Sequence, residues 1–411
     1  MAHRLDLRSL LALAEAAAPV GAVDAMAAAM AEALDARGVS FLIADFSGRT
    51  LNRLGQTNGY PIEESGQRVL LDGTPYGAAL TGQRSVLLRE GDDTRMLAPV
   101  TSRGEAVGVL ELVLPFAPDS LTIDDVELAA HQLAYIVIAN RRYTDLFEWG
   151  QRTVPLSLAA EIQRRLLPAS FTCEADQFTL AAWLEPAGQV SGDTFDFSLD
   201  RNTLHVSITD AMGHSVESAL LATLAVGALR NARRAGAEVV EQARDAHQAL
   251  IAHATDGGFV TGQLIRIDLN AGIARIVNAG HPRPFRLRDG VAEQIPLTAD
   301  TPFGAVAGAT WREQVLPLEA GDRLLLLTDG MLERNAGGID VPRLLRATAH
   351  LHPREAIQQL THAVIAAVGG ELADDATALC LDWHGGARGD RVTHAGAEHR
   401  MQRARTYAAV T

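Results

Sequence analysis

Aspartates stand at the ends of apolar strands in the second half of this chain, and their placement constrains the fold more than any other feature. Asp193 lies in Ser191-Gly192-Asp193, Asp210 in Ile208-Thr209-Asp210-Ala211-Met212-Gly213-His214, and Asp329 in Leu327-Thr328-Asp329-Gly330. A fourth site, Asp374-Asp375-Ala376-Thr377, precedes the last strand-like run. Carboxylates at strand ends can converge where two sheets meet. Brought together they repel, and they persist as anions only where cations neutralise them. All-oxygen ligands select hard ions, Mg2+ or Mn2+, over zinc. Taken singly, each aspartate reads as a turn or cap residue, Asp329-Gly330 above all. The weight lies in the set.

The segments between these aspartates alternate as strands do. Leu204, Val206 and Ile208 are interleaved with His205, Ser207 and Thr209. The run Leu264 to Leu269 turns at Asn270-Ala271-Gly272 and returns as Ile273 to Val277. Two helical stretches, Val216 to Arg234 and Val239 to His253, lie between the strand groups. Strands, helices and strands again predict an α/β sandwich of stacked antiparallel sheets flanked by helices.

The first part of the chain is an α+β module of its own. An alanine-rich helical stretch reaches Ala36, and strand-like runs follow at Val39 to Ala44, Ser85 to Leu88, Met96 to Val100 and Ala106 to Leu114. Thr122 and Asp125 read as a capping box for a helix reaching about Glu148. In it Val126, Ala129, Leu133, Ile136, Asn140, Tyr143 and Phe147 recur at spacings of three and four, a heptad seam whose Asn140 would fix register in a homodimer. The other reading of that stripe packs it on its own domain's sheet. Trp149-Gly150 is expected to break the helix, and Pro155 to open a connector with Ile162, Leu166 and Leu167 on its apolar face before Pro168. The domain reading is 1–121, a helical linker with coiled-coil character at 122–168, an aspartate-bearing sandwich domain at 169–384 and a tail at 385–411, expected to be disordered.

Length and composition set outer limits. A chain of 411 residues has room for two or three cores. An apolar fraction of 47% and a charged fraction of 21% are those of globular proteins, and no apolar run approaches the roughly 20 residues of a membrane span. Lys and Arg total 36 against 50 Asp and Glu, so the net charge of -14 opposes attraction to nucleic acid or anionic lipid. It suits a basic partner or a cation, and equally serves solubility alone. The start lacks the order of a secretion signal, and Cys173 and Cys380 lie far apart, so the expected compartment is the cytoplasm.

The order of helices and strands over about the first 145 residues resembles a GAF sensory domain, which implies either a small-molecule site or a ligand-free dimerisation module. A stronger resemblance covers about Ala160 to Asp382. It is carried by Ile162-Gln163-Arg164-Arg165-Leu166-Leu167-Pro168, Pro186-Ala187, Val190-Ser191-Gly192-Asp193-Thr194-Phe195-Asp196-Phe197, Asp210 to Ser215, Phe259-Val260-Thr261, Asn278-Ala279-Gly280-His281-Pro282, Pro302-Phe303-Gly304, Gly321-Asp322-Arg323-Leu324, Thr328-Asp329-Gly330 and Asp374-Asp375-Ala376-Thr377. In this order they resemble the PPM-type (type 2C) metal-dependent serine/threonine phosphatases, in the bacterial branch that regulates sigma factors and sporulation.

The resemblance implies two divalent cations, Mn2+ or Mg2+, and a phosphoprotein substrate such as an anti-sigma-factor antagonist. It makes Asp210 the carboxylate bridging both cations and the Ala211 carbonyl a backbone ligand. Asp329 and Asp374 hold one ion, Asp193 lies at the other partly through water, and Asp375 is the less favoured of its pair. Ser191 and Ser215 stand where the family has glycine, so altered loop strain is expected there. The cations would acidify a water for in-line attack, with no phosphoenzyme. His214 and His281 are candidates for protonating the leaving oxygen or for holding loops. Two rival readings remain at this level. Gly213-His214-Ser215-Val216-Glu217 nearly matches a serine-hydrolase elbow but lacks the final glycine and leaves the aspartates unexplained. The other is a sensor and scaffold whose phosphatase domain has decayed.

Overall fold

The computed structural model describes residues 4–46, 48–54, 68–152, 156–185, 192–213, 216–254, 257–332, 339–369, 372 and 374–386. The chain divides into two units between residues 155 and 156.

In the first unit the Asp6 carboxylate accepts from the backbone N–H groups of Arg8 and Ser9 and starts α1 (Leu7–Ala16). There follow α2 (Ala22–Leu34), β1 (Gly38–Ala44), β2 (Thr50–Leu54), β3 (Arg68–Leu70), α3 (Pro75–Gly82), β4 (Val86–Glu90), β5 (Asp93–Ser102), β6 (Glu105–Leu114), α4 (Ser120–Asn140) and α5 (Leu146–Gln151). The strands form one antiparallel sheet in the order β3-β2-β1-β6-β5-β4. Side-chain alternation sends Val39, Phe41 and Ile43 into a core with α1, α2 and α4, and Leu42 and Ala44 into a smaller one with α3.

The helix expected from Thr122 to Glu148 is shorter and capped differently. Asp119, not Thr122, is the N-cap, its carboxylate accepting from the Thr122 N–H at 2.8 Å. Asp125 is turned instead to Arg4 Nε at 2.6 Å and the Leu5 N–H. The helix ends at Asn140, five residues of turn follow, and Gly150 lies inside α5 rather than breaking a helix. The expected seam does not face outward: Val126, Ala129, Leu133, Ile136 and Phe147 are all spent in the first unit's own core. The sheet is the nearer apolar surface, so packing on it wins over pairing with a second chain. Leu121, Leu128 and Tyr135, seven residues apart on the opposite face, are exposed.

The second unit holds α6 (Leu158–Leu166), β7 (Thr172–Glu174), β8 (Phe178–Glu185), β9 (Asp193–Leu199), β10 (Thr203–Ala211), α7 (Val216–Arg234), α8 (Val239–His253), β11 (Val260–Asp268), β12 (Ile273–Ala279), β13 (Phe285–Arg288), β14 (Val291–Gln294), β15 (Gln314–Pro317), β16 (Arg323–Leu327), a 3-10 turn at Asp329–Met331, α9 (Val341–Ala347), α10 (Pro353–Ala367) and β17 (Ala376–Trp383). Two antiparallel sheets result, β15-β12-β11-β10-β9 and β14-β13-β16-β17-β8-β7. Their facing side chains, among them Phe178, Leu204, Ile208, Ile265, Leu324, Leu326 and Leu379, form the central core. The outer face of the first sheet carries α7 and α8, and that of the second carries α9 and α10. Each fully buried Leu, Ile or Phe in these layers contributes about 1.5–3 kcal/mol relative to exposure. The fold is therefore mixed α/β, with the expected sandwich in its second unit. Among the described residues no helix is long and apolar enough to cross a membrane.

Candidate active site

Strand periodicity gathers the carboxylates at one end of the sandwich. On β10, Leu204, Val206 and Ile208 point into the central core, and Asp210 continues that inward series just past its edge. Asp193 opens β9 directly opposite Asp210. Across the gap, Leu324 and Leu326 of β16 face the same core and lead to Thr328 and Asp329, while Leu379 of β17 is preceded inward by Thr377 and Asp375. The sheets are joined here: Thr328 Oγ1 and Thr377 Oγ1 both donate to Asp193 Oδ2, at 2.7 and 2.6 Å. Thr377 N–H donates to Thr328 Oγ1 at 3.0 Å.

Two close approaches require glycine. A Cβ on Gly330 would lie 2.0 Å from the Asp375 carbonyl oxygen, and one on Gly192 would lie 2.6 Å from that of Ala211. The Asp-Gly pair that looks like an ordinary turn in the sequence is thus the contact that brings Asp329 beside Asp374 and Asp375.

The five carboxylates form a graded set. Asp193 and Asp375 are buried, 3% and 1% exposed, Asp210 and Asp374 are half-buried, and Asp329 is exposed. Burial, then the neighbouring Asp210 and Asp375 charges, push the Asp193 carboxyl well above the usual range, against the pull of the two threonine hydroxyls. Burial together with Asp329, Asp374 and Asp375 pushes Asp210 up to about 7. Among the described residues no three of these groups close into a finished ligand cage. Asp193 and Asp210 feel the charge of their neighbours, which is the situation a cation relieves, and an all-carboxylate donor set fits Mg2+ or Mn2+. Asp375 Oδ2 accepts from Gln163 Nε2 at 2.6 Å and the Gly192 N–H at 3.3 Å. Asp374 Oδ1 accepts from the Asp375 N–H.

His281 is 3% exposed, and its Nδ1 lies 2.9 Å from Thr261 Oγ1. Its backbone N–H donates to Asn278 Oδ1, and Asn278 Nδ2 donates to the His281 carbonyl oxygen. Burial lowers its pKa to about 3. A buried neutral imidazole in such a frame fits the loop-holding role of the two the sequence offers. His214, Ser191 and Ser215 lie outside the described residues.

Sequence reasoning gave no role to Gln163, Thr328 or Thr377. It assigned the apolar face of α6 to Ile162, Leu166 and Leu167, yet Ala159, Ala160 and Gln163 are the buried residues there. Leu166 and Leu167 are partly buried against the two neighbouring cores. The available signal was a threonine next to the aspartate in Leu-Thr-Asp-Gly and two residues after it in Asp-Asp-Ala-Thr.

An αββα sandwich with inward carboxylates at one end is the architecture expected of a type 2C phosphatase. Residues 200–384 match the family model for Stage II sporulation protein E (SpoIIE), so the second unit carries a SpoIIE-type PP2C phosphatase domain. It is homologous to two phosphoserine phosphatases of Bacillus subtilis (strain 168). RsbP is 25% identical over 186 residues, 44% of this chain and 46% of its own length. RsbU is 22% identical over 235 residues, 55% of this chain and 69% of its own. The chain thus matches less than half of RsbP. Among solved structures, the RsbU and RsbW domains of Rv1364c from Mycobacterium tuberculosis align with a TM-score of 0.45 at 24% identity, over 52% of this chain and 63% of that one.

Proposed function

We propose that the chain is a metal-dependent protein serine/threonine phosphatase acting on a phosphorylated regulatory protein of sigma-factor control, of the anti-sigma-factor-antagonist kind. The observation that carries the reading is the carboxylate set at the sandwich edge, where burial and neighbouring carboxylates raise the pKa of Asp193 and Asp210, inside a domain homologous to named phosphoserine phosphatases. In this reading Asp210, the Ala211 carbonyl, Asp329, Asp374 and Asp193 would hold the two cations, Asp210 being the residue shared between them. When bound, Mn2+ or Mg2+ supplies an acidified water and neutralises charge on the phosphoryl group. The protein's own part is orientation. Thr328 and Thr377 fix Asp193, while the exposed Asp329 and half-buried Asp210 and Asp374 are the members of the set open to solvent, where a phosphorylated side chain would reach them.

A GAF-like sensory role for the first unit, a cytoplasmic location and a homodimer complete the proposal. The surface that α4 leaves for a second copy is the outward stripe Leu121, Leu128 and Tyr135.

An aryl phosphate assay tests the enzyme reading. Mn2+ should support turnover, chelation should stop it, and Asp210→Asn and Asp329→Asn should each abolish it in a folded protein. Near wild-type turnover by Asp210→Asn at saturating Mn2+ would sink the assignment. Comparison of phosphoproteins in deletion and wild-type cells tests the substrate class: no change in any antagonist-type protein removes it.

A further inference from the structure

Helix α6 begins at Ser157, whose Oγ accepts from the Ala160 N–H at 3.1 Å, and it places one long polar side chain on its buried face. That side chain is Gln163, 3% exposed. A buried carboxamide is costly unless its hydrogen bonds are made. Gln163 Nε2 makes two of them, both to distant parts of the carboxylate cluster. It donates to the Asp193 carbonyl oxygen at 2.8 Å and to Asp375 Oδ2 at 2.6 Å. One group on α6 therefore joins the start of β9 to the Asp374-Asp375 turn, which belong to different sheets.

We propose that Gln163 is a positioning residue of the metal site, clamping the Asp375 carboxylate and the first peptide of β9 so that the cluster meets its cations pre-arranged. The proposal rests on the phosphatase reading in that cations must bind there. A purely structural role, holding α6 on the sandwich, makes a different prediction. Docking needs only bulk at this position, which leucine supplies. The C-terminal end of α6 is also held separately, since Arg230 Nη2 donates to the Leu166 carbonyl oxygen while Arg230 and Arg233 pair with Asp196. Gln163→Leu should therefore keep α6 in place and remove only the clamp. Partners behind metal ligands typically change metal affinity by 10–100-fold when removed.

The test is calorimetric titration of the full chain with Mn2+. Gln163→Leu should bind roughly ten- to a hundred-fold more weakly than wild type while still melting cooperatively without metal, at a temperature lowered by the two buried hydrogen bonds it loses. In the aryl phosphate assay the Mn2+ concentration for half activation should rise by the same factor, while kcat at saturating Mn2+ returns to near the wild-type value. Equal Mn2+ affinity in the two proteins overturns the clamp, and so does a lowered kcat with unchanged Mn2+ dependence. A second measurement needs no variant. Because coupling is reciprocal, Mn2+ should slow hydrogen exchange of the backbone amides in 158–166 of the wild type. Exchange there that ignores Mn2+ overturns the proposal. If wild-type protein binds no Mn2+ at all, the phosphatase reading falls and the clamp with it, whereas wild-type binding matched by the variant removes the clamp alone.

Discussion

Asp210 shows what the fold costs at a single residue. Its carboxyl is pushed from 3.8 to about 7 by burial and by Asp329, Asp374 and Asp375, so the metal-free folded state holds a proton that the unfolded chain gives up. Between those two pH values the folded state binds more protons, and stability must fall as pH rises through the window. The metal-free protein should accordingly melt lower at pH 7.5 than at pH 5, and Mn2+ should reverse the loss. Asp210→Asn should flatten the dependence and raise the metal-free melting temperature at pH 7.5; a steeper slope in that variant would refute the argument. Asp193, Asp210, Asp329 and Asp374 were legible in the sequence because each sits in a short motif at a strand end. The partners that hold them were not. Thr328 and Thr377 act on a residue 135 and 184 positions away, and Gln163 on one 212 away, and local spacing carries no record of such pairings.

Elements were legible where periodicity met a single environment. The bounds Val216–Arg234 and Val239–His253 of α7 and α8 agree with the sequence reading, since each has one apolar face and clear ends. In α4 the same kind of pattern was ambiguous. A stripe at spacings of three and four serves a coiled coil or a sheet equally well, and only the proximity of β5 and β6 decided for the sheet. The turn after β16 makes a sharper test of local packing. Gly330 abuts the Asp375 backbone so closely that a methyl group there must move one strand end off the other. Gly330→Ala should destabilise the second unit by about 1–3 kcal/mol in urea unfolding, the usual cost of overpacking, and should weaken Mn2+ binding as well. Unchanged values for both would mean that the approach is not needed.

At the scale of the molecule, each unit has its own core, so each should respond to its own mutations. In the first unit Glu111 is buried and accepts from Arg53 Nη2 at 3.1 Å and from Tyr76 Oη at 2.8 Å, with Arg95 beside it. Removing one partner of a buried pair costs about 3–5 kcal/mol, so Glu111→Ala should lower one thermal transition and spare the one that Mn2+ shifts. The two placements of the domain boundary can then be told apart. Sequence alone set the catalytic domain at residue 169, after Pro168, because the connector looked like a linker. The contacts divide the chain at 155 and 156, which gives α6 to the second unit, with Gln163 on the carboxylates and Leu166 and Leu167 against its cores. A fragment of residues 156–411 should melt in one cooperative step and bind Mn2+ as the full chain does. A fragment of residues 169–411 lacks the helix that covers those apolar surfaces and should melt lower and bind Mn2+ at least about ten-fold more weakly. Equal melting and equal affinity in the two fragments would show that α6 is a linker after all, and that the carboxylate cluster assembles without it.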